Sequence, residues 1–182
     1  MSDYREARIA DVPGVLRLQE KNLVTNLSEE QKLHGFVTTP FTLEQLEKLI
    51  ALHGLFVASQ EGIITGYAVA AGWEYFTGRP MFELMIQLFS KLSYRGIAID
   101  SKNSFQYGPV CIDMALRGTD CFPSLFSTMK QGMRERYSVG TTFINRINSR
   151  SVRAHTQTVN IDIINEFSFN NQEYYGLAFL LT

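Results

Sequence analysis

No charge of one sign dominates this 182-residue sequence: 17 Lys and Arg stand against 18 Asp and Glu, a formal net charge of −1. Neither a basic stripe nor an acidic block interrupts it. Neutralising a phosphate backbone takes clustered cations, so no nucleic-acid partner is expected. Long hydrophobic runs are missing as well. None approaches the ~18 residues of a membrane-crossing helix, and the opening MSDYREARIAD shows no basic-then-apolar leader pattern. No membrane partner is expected, and a reducing cytoplasm is the expected location. Cysteine is scarce, with two residues, Cys111 and Cys121. Two thiols make no disulfide framework, and these lack metal-ligand spacing. His34, His53 and His155 are scattered, with no HxxxH or CxxC, so no metal is expected. A GxSxG elbow is lacking, which weakens a serine-hydrolase reading. Repeats, linkers and low-complexity segments are lacking too, so residues 1–182 read as one domain.

What is present suffices for a full core: 45% of residues are hydrophobic, with 13 Phe and 8 Tyr. The stretch from Tyr107 to Lys130, YGPVCIDMALRGTDCFPSLFSTMK, organises the rest. It reads as a buried strand from Val110 to Met114, a turn carrying Arg117-Gly118, and an amphipathic helix starting near Pro123. Leu125, Phe126, Met129 and Met133 form that helix's inward face. A strand that ends in a glycine-bearing turn presents the next helix's unpaired N–H groups, a place suited to a phosphate-bearing ligand. Cys111 reads as a small buried hydrophobe in the strand, and Cys121 as a loop thiol.

Around this unit, Tyr4 to Ile9 is a strand candidate. Asp11 then caps a helix with Pro13 in its first turn and Val12, Val15, Leu16 and Leu18 on its apolar face. Residues 27–40 lack a firm period and read as an irregular connection. Thr42 and Gln45 form a capping box for a second helix, whose stripe is Leu43, Leu46, Leu49, Ile50 and Leu52 and which Gly54 ends. Leu55 to Ser59 and Ile64 to Ala71 read as a hairpin about Gln60-Glu61-Gly62, its second strand central and covered on both faces. A helix over Met81 to Leu92 is apolar widely enough to be tucked against the sheet or used in a homodimer contact. After the organising helix come a strand from Val139 to Ile147, a helix from Asn148-Ser149 to about Thr158, and two strands, Asp162 to Phe169 and Glu173 to Leu181.

Three places make the chain resemble the GNAT superfamily of acyl-CoA-dependent N-acetyltransferases, over essentially its full length. EARIADVPGVLRLQ is similar to the family's first strand and helix, and LFVASQEGIITGYAVA to its second and third strands. The most specific is the combination of VCIDMALRGTDCF with INSRSVRAH. The resemblance implies an α/β (α+β) fold: a single domain with a mixed, mostly antiparallel sheet flanked by helices, and a helical insert at about 75–105 between the third and fourth strands.

It also implies a site. In that family a loop of pattern (Q/R)xxGx(G/A) after the fourth strand wraps the pyrophosphate of coenzyme A with backbone N–H groups. Here the loop is RGTDCF: Arg117, Gly118, Thr119, Asp120, Cys121 and Phe122, with the backbone near Ile112 and Met114 holding the thioester and pantetheine. Asp120 stands where the central glycine is expected, and Phe122 where a small residue is usual. Glycine there permits close approach to phosphate. A carboxylate beside a dianion costs on the order of 1 kcal/mol unless it turns away, and Asp120 also suits a helix cap. The second motif is similar to the family's Asn-x-x-Ala/Ser-x-x-x-Tyr: Asn148, Ser151 and His155. There the first two line the pantetheine path, and the Tyr protonates the leaving thiolate. Helical spacing puts all three on one face, aimed where the fourth and fifth strands part. His155 reads either as an acid or base or as a residue packed under the last hairpin, and Asn148 either as a ligand contact or as a cap.

The implied reaction is attack of an amine on acetyl-CoA, the amine belonging to a small molecule or a protein. An attacking ammonium must first lose a proton, and Glu74, Asp113 and Glu166 are the candidate bases beside His155. Each carboxylate also reads as an ordinary surface residue. The alternative is a non-catalytic GNAT-like module that binds coenzyme A weakly or not at all and serves ligand binding or assembly.

Overall fold

The computed structural model describes residues 2–32, 37 and 40–181. His34 and the middle of the 27–40 connection lie outside the described residues, although Glu29–Lys32 within that connection forms a short helix. β1 is Ser2–Glu6, shorter than expected, because Ile9–Asp11 curls into a 3-10 turn. Asp11 causes the curl. Its carboxylate accepts two bonds from the Arg5 guanidinium, at 2.7 and 2.9 Å, and one from the Arg8 backbone N–H at 2.7 Å. Helix α1, Val12–Lys21, follows with Val12, Val15 and Leu18 buried; Asp11 holds its N-cap position without capping it through the side chain.

The short helix Glu29–Lys32 is α2, and α3 is Leu43–Ala51. At α3 local sequence decides: Thr42 Oγ1 accepts the Gln45 N–H at 3.2 Å, and Gln45 Oε1 accepts the Thr42 N–H at 2.9 Å. Leu46 and Leu49 are fully buried, whereas Leu43, at the helix's first position, is exposed. His53 rather than Gly54 takes the left-handed conformation that closes the helix (φ 54°). Gly54 serves a different need, because a Cβ there would run into the Ala70 carbonyl. β2, Leu55–Gln60, and β3, Ile63–Ala71, join through Glu61-Gly62, both with positive φ (50° and 79°), as a two-residue type I′ turn requires.

The insert departs from expectation in one respect. Helix α4 is Pro80–Phe89, and a small hairpin follows, β4 (Ser93–Tyr94) and β5 (Ile97–Ala98), turning on Arg95-Gly96. One apolar face of α4 packs on the protein's own sheet, and its other apolar residues are half-buried. Met85, Phe89, Tyr94 and Ile99 share a core cluster with Trp73, Val139, Phe167 and Ala178, and Phe82 and Leu88 pack against it.

β6 runs Ser104–Ile112, six residues earlier than the expected start at Val110 and ending before Met114. The Gly108–Pro109 peptide is cis, and Pro109 has no N–H to give a ladder. Met114 instead opens a 3-10 turn, Met114–Leu116, which Asp113 caps by accepting the Ala115 N–H at 3.1 Å. Helix α5 is Cys121–Met133, β7 is Val139–Asn145, α6 is Ser149–Arg153, β8 is Asp162–Phe169 and β9 is Gln172–Leu180. The seven long strands form one sheet in the order β1-β2-β3-β6-β7-β9-β8, with β3 an interior strand and β6 at the centre. Pairs β1–β2, β2–β3, β7–β9 and β8–β9 are antiparallel; β6–β7 is parallel, with rungs Ser104↔Val139, Phe105↔Gly140 and Gln106↔Thr141. Within this sheet the chain gathers into two compact units: residues 1–70 with 108–132, and residues 71–107 with 133–182.

Candidate functional site

In the first unit, the turn between β6 and α5 bonds three of its N–H groups within itself and leaves two without a protein acceptor among the described residues. Those of Leu116, Arg117 and Thr119 donate to the carbonyls of Asp113, Met114 and Leu116. The N–H groups of Gly118 and Asp120 meet no protein acceptor among the described residues. Gly118 has φ 83°, and a Cβ on it would meet open space. These two unbonded N–H groups, on exposed residues, stand just ahead of a 13-residue helix, where the helix dipole also favours an anion. Helix α5 begins at Cys121, before the expected Pro123. Its cap bond comes from Thr119, whose Oγ1 accepts the Cys121 N–H at 3.2 Å. Asp120 is exposed, and its carboxylate makes no hydrogen bond among the described residues; its backbone carbonyl accepts the Ser124 N–H.

The side chains of this turn are tied to α1. Arg117 Nε donates to Ile112 O at 3.0 Å, and Arg117 Nη2 to Asn22 Oδ1 at 2.7 Å. Lys21 Nζ lies 2.9 Å from Asp113 Oδ2. Burial pushes the Asp113 carboxyl up, but the Lys21 ammonium, the Ala115 N–H and the nearby Arg117 together hold it below the ordinary range. An ion-paired, capping carboxylate is a poor proton acceptor, so Asp113 is better placed to shape the turn than to act as a base. Cys121 is buried in the first turn of α5 rather than a loop thiol, and Ile112 and Cys111 are buried beside the turn. Phe122 is half-buried, its ring 6.3 Å from that of Phe126. Lys21 and Asn22 escaped sequence reasoning: they lie 92 and 95 residues from their partners, and no local pattern announces them.

In the second unit, Asn148, Ser151 and His155 come together as a chain of bonds. Asn148 Oδ1 accepts the Ser151 N–H at 3.1 Å, capping α6, and His155 Nδ1 donates to Ser151 O at 2.8 Å. His155 lies in a wider π turn, Ala154–Thr158, with its ring 5.7 Å from that of buried Tyr107. Burial lowers its pKa, and the bond to the Ser151 carbonyl only partly offsets this. The imidazole is therefore neutral at neutral pH, with Nδ1 protonated and the lone pair on Nε2. Glu74 is exposed in the Trp73–Phe76 turn; its carboxylate and the Tyr137 hydroxyl both fold over Gly72, occupying the space a Cβ would need. Burial and then the Glu74 charge push the Tyr137 hydroxyl up. Glu166 is exposed and paired with Arg146 at 3.1 Å. Among the described residues, no three His, Cys, Asp or Glu are grouped to hold a metal ion, and no helix is long and apolar enough to cross a membrane.

No family model matches the sequence, and no curated protein does. Solved structures match at the level of fold. A GNAT-family acetyltransferase from Streptococcus pneumoniae superposes with a TM-score of 0.66 at 11% identity, over 99% of this chain and 99% of that one. The polyamine N-acetyltransferase of Drosophila melanogaster, which forms N-acetylagmatine, gives 0.66 at 13% identity over 99% and 100%. The yncA acetyltransferase structure from Salmonella typhimurium, which contains acetyl-CoA, gives 0.62 at 15% identity over 100% and 94%. The chain has the GNAT fold.

Proposed function

We propose that the chain is an acetyl-CoA-dependent N-acetyltransferase acting on an amine of a small-molecule or protein acceptor. The observation that carries this is the β6–α5 turn: two N–H groups, of Gly118 and Asp120, without a protein acceptor among the described residues at the start of α5, in a fold shared with an acetyltransferase solved with acetyl-CoA. The polyamine-acetylating neighbour supports an amine acceptor. In this reading the Gly118 and Asp120 N–H groups hold the pyrophosphate and the backbone near Ile112 holds the pantetheine. The amine nitrogen attacks the thioester carbonyl; the new C–N bond forms as the C–S bond breaks, the thiolate leaves, and the nitrogen gives up a proton. Positioning both partners supplies several kcal/mol of the acceleration. His155 is the best-supported proton carrier, because it is neutral and its Nδ1 is fixed by Ser151; of the three candidate carboxylates, Asp113 pairs with Lys21 and Glu166 with Arg146, whereas Glu74 has no cation beside it among the described residues. Free, buried Cys111 and Cys121 suit a reducing cytoplasm.

The exposed Asp120 carboxylate beside these N–H groups favours a second reading, a GNAT-like module that binds coenzyme A weakly or not at all. Calorimetric titration with acetyl-CoA and with free coenzyme A decides. Binding at micromolar ligand, together with release of thiol when amines are supplied, supports the enzyme. No binding at millimolar ligand sinks it.

A further inference from the structure

Asn22 ends α1 and is 2% exposed, yet every polar atom it carries is used. Its Oδ1 accepts from Arg117 Nη2 at 2.7 Å, and its Nδ2 donates to Leu18 O at 2.8 Å. Its backbone N–H donates to Gln19 O at 3.0 Å, and its carbonyl accepts the Val37 N–H at 2.8 Å. The bond to Leu18 fixes which way the carboxamide faces, so that its oxygen meets the guanidinium. The bonds that Arg117 donates include one to Ile112 O, at the end of the strand that leads into the turn, and one to Asn22, on a helix far away in sequence. Its backbone stands at φ −71° and ψ 134°, and ψ of Arg117 sets the direction in which the Gly118 N–H points.

We infer that Asn22 is a positioning residue for the coenzyme A turn: by anchoring Arg117 it keeps the Gly118 and Asp120 N–H groups facing an incoming pyrophosphate. The inference rests on the acetyltransferase reading above. The second tie from α1, Lys21 to Asp113, is the weaker anchor, because Lys21 is 65% exposed and its pairing is screened by salt. Arg117 accordingly acts through its backbone, its charge spent on holding the turn rather than on phosphate.

The test is calorimetry with two probes, coenzyme A and pantetheine, which lacks the phosphates. Asn22→Ala should weaken coenzyme A about tenfold, the worth of one hydrogen bond to a charged group, and leave pantetheine unchanged. Asn22→Asp keeps an oxygen for Arg117 but sets its second oxygen against the Leu18 carbonyl, so coenzyme A affinity should fall between that of Asn22→Ala and that of the parent. Unchanged coenzyme A affinity in Asn22→Ala overturns the inference, as do equal losses for both probes or no rescue by Asn22→Asp. If Asn22→Ala does not fold, Arg117→Met cuts the same link from the other side and must show the same selective loss; an unselective loss or none overturns it. Failure of the parent protein to bind coenzyme A is a different result, which removes the acetyltransferase reading and this inference with it.

Discussion

Tyr94 donates its hydroxyl to Asp162 Oδ2 across 2.6 Å, pinning the small β4–β5 hairpin to β8. Arg95 reaches the same carboxylate at 2.8 Å. The Tyr94 and Arg95 bonds hold the Asp162 carboxyl below its ordinary value, while burial and the carboxylate push the Tyr94 hydroxyl up to about 12. Tyr94→Phe should cost about 1 kcal/mol in urea unfolding at neutral pH. A carboxyl with a lowered folded pKa contributes stability above its unfolded value near 4 and loses it as pH falls through the folded one. The cost of Tyr94→Phe should therefore shrink below about pH 4, and a cost constant with pH would show the bond to be idle.

His155 carries a testable sign. Burial lowers its pKa, so the unfolded chain binds the proton more tightly than the folded one. Its contribution to stability is fully present above the unfolded value of about 6.5 and declines as pH falls below it. Carbon-bound imidazole proton shifts followed by NMR should show His155 titrating below the ordinary imidazole value of about 6.5. A His155→Gln protein should lose stability less steeply between about pH 6.5 and 5 than the parent. If His155 is the proton carrier, the same change should lower kcat at least tenfold with the acetyl-CoA KM unmoved; undiminished turnover would remove it from the mechanism.

At the turn itself, Asp120→Gly removes an exposed carboxylate next to the Gly118 and Asp120 N–H groups. Coenzyme A affinity should rise by roughly fivefold at low salt, and less at high salt, since an exposed charge is screened. Weaker binding would mean that the side chain supports the turn. Gly118→Ala, by contrast, meets no steric obstacle but forces an L residue to φ 83°, and should cost about 1 kcal/mol of stability.

Both thiols should resist modification. Burial pushes the Cys111 thiol up to about 12 and raises that of Cys121, leaving little thiolate at neutral pH. A colorimetric thiol reagent should react with neither in the folded protein and with both in denaturant. Rapid labelling of Cys121 in the folded state would show that the first turn of α5 opens.

Where the sequence announced structure, it did so through short-range chemistry. Thr42 and Gln45 lie three residues apart, and Glu61-Gly62 needs only its own two positive φ values. Asn148 three residues before Ser151 likewise marked the cap of α6. The misses have physical causes too. The strands Ser93–Tyr94 and Ile97–Ala98 are too short to carry a period, so their hairpin was invisible. The strand expected from Val110 left out Gly108-Pro109, yet β6 starts at Ser104 and runs through it. The turn's location was legible from strand, glycine and helix in succession, but its scaffold was not, because Lys21 and Asn22 reach it only through the folded chain.

The burial of Trp73 gives the molecule an internal reporter. It is the one tryptophan in the sequence, 4% exposed, with its Nε1 bonded to Ser104 Oγ at 3.0 Å and its ring edge-on to Phe89. Its emission should be blue-shifted and should red-shift when the 71–107 and 133–182 unit melts, while saying nothing direct about the unit that carries the Gly118 turn. Cys111 and Cys121 both lie in that other unit, so thiol exposure and tryptophan emission are two separately placed clocks. If they run together through a denaturant series, the chain unfolds in a single cooperative step; if they part, the turn can open while the tryptophan core stands.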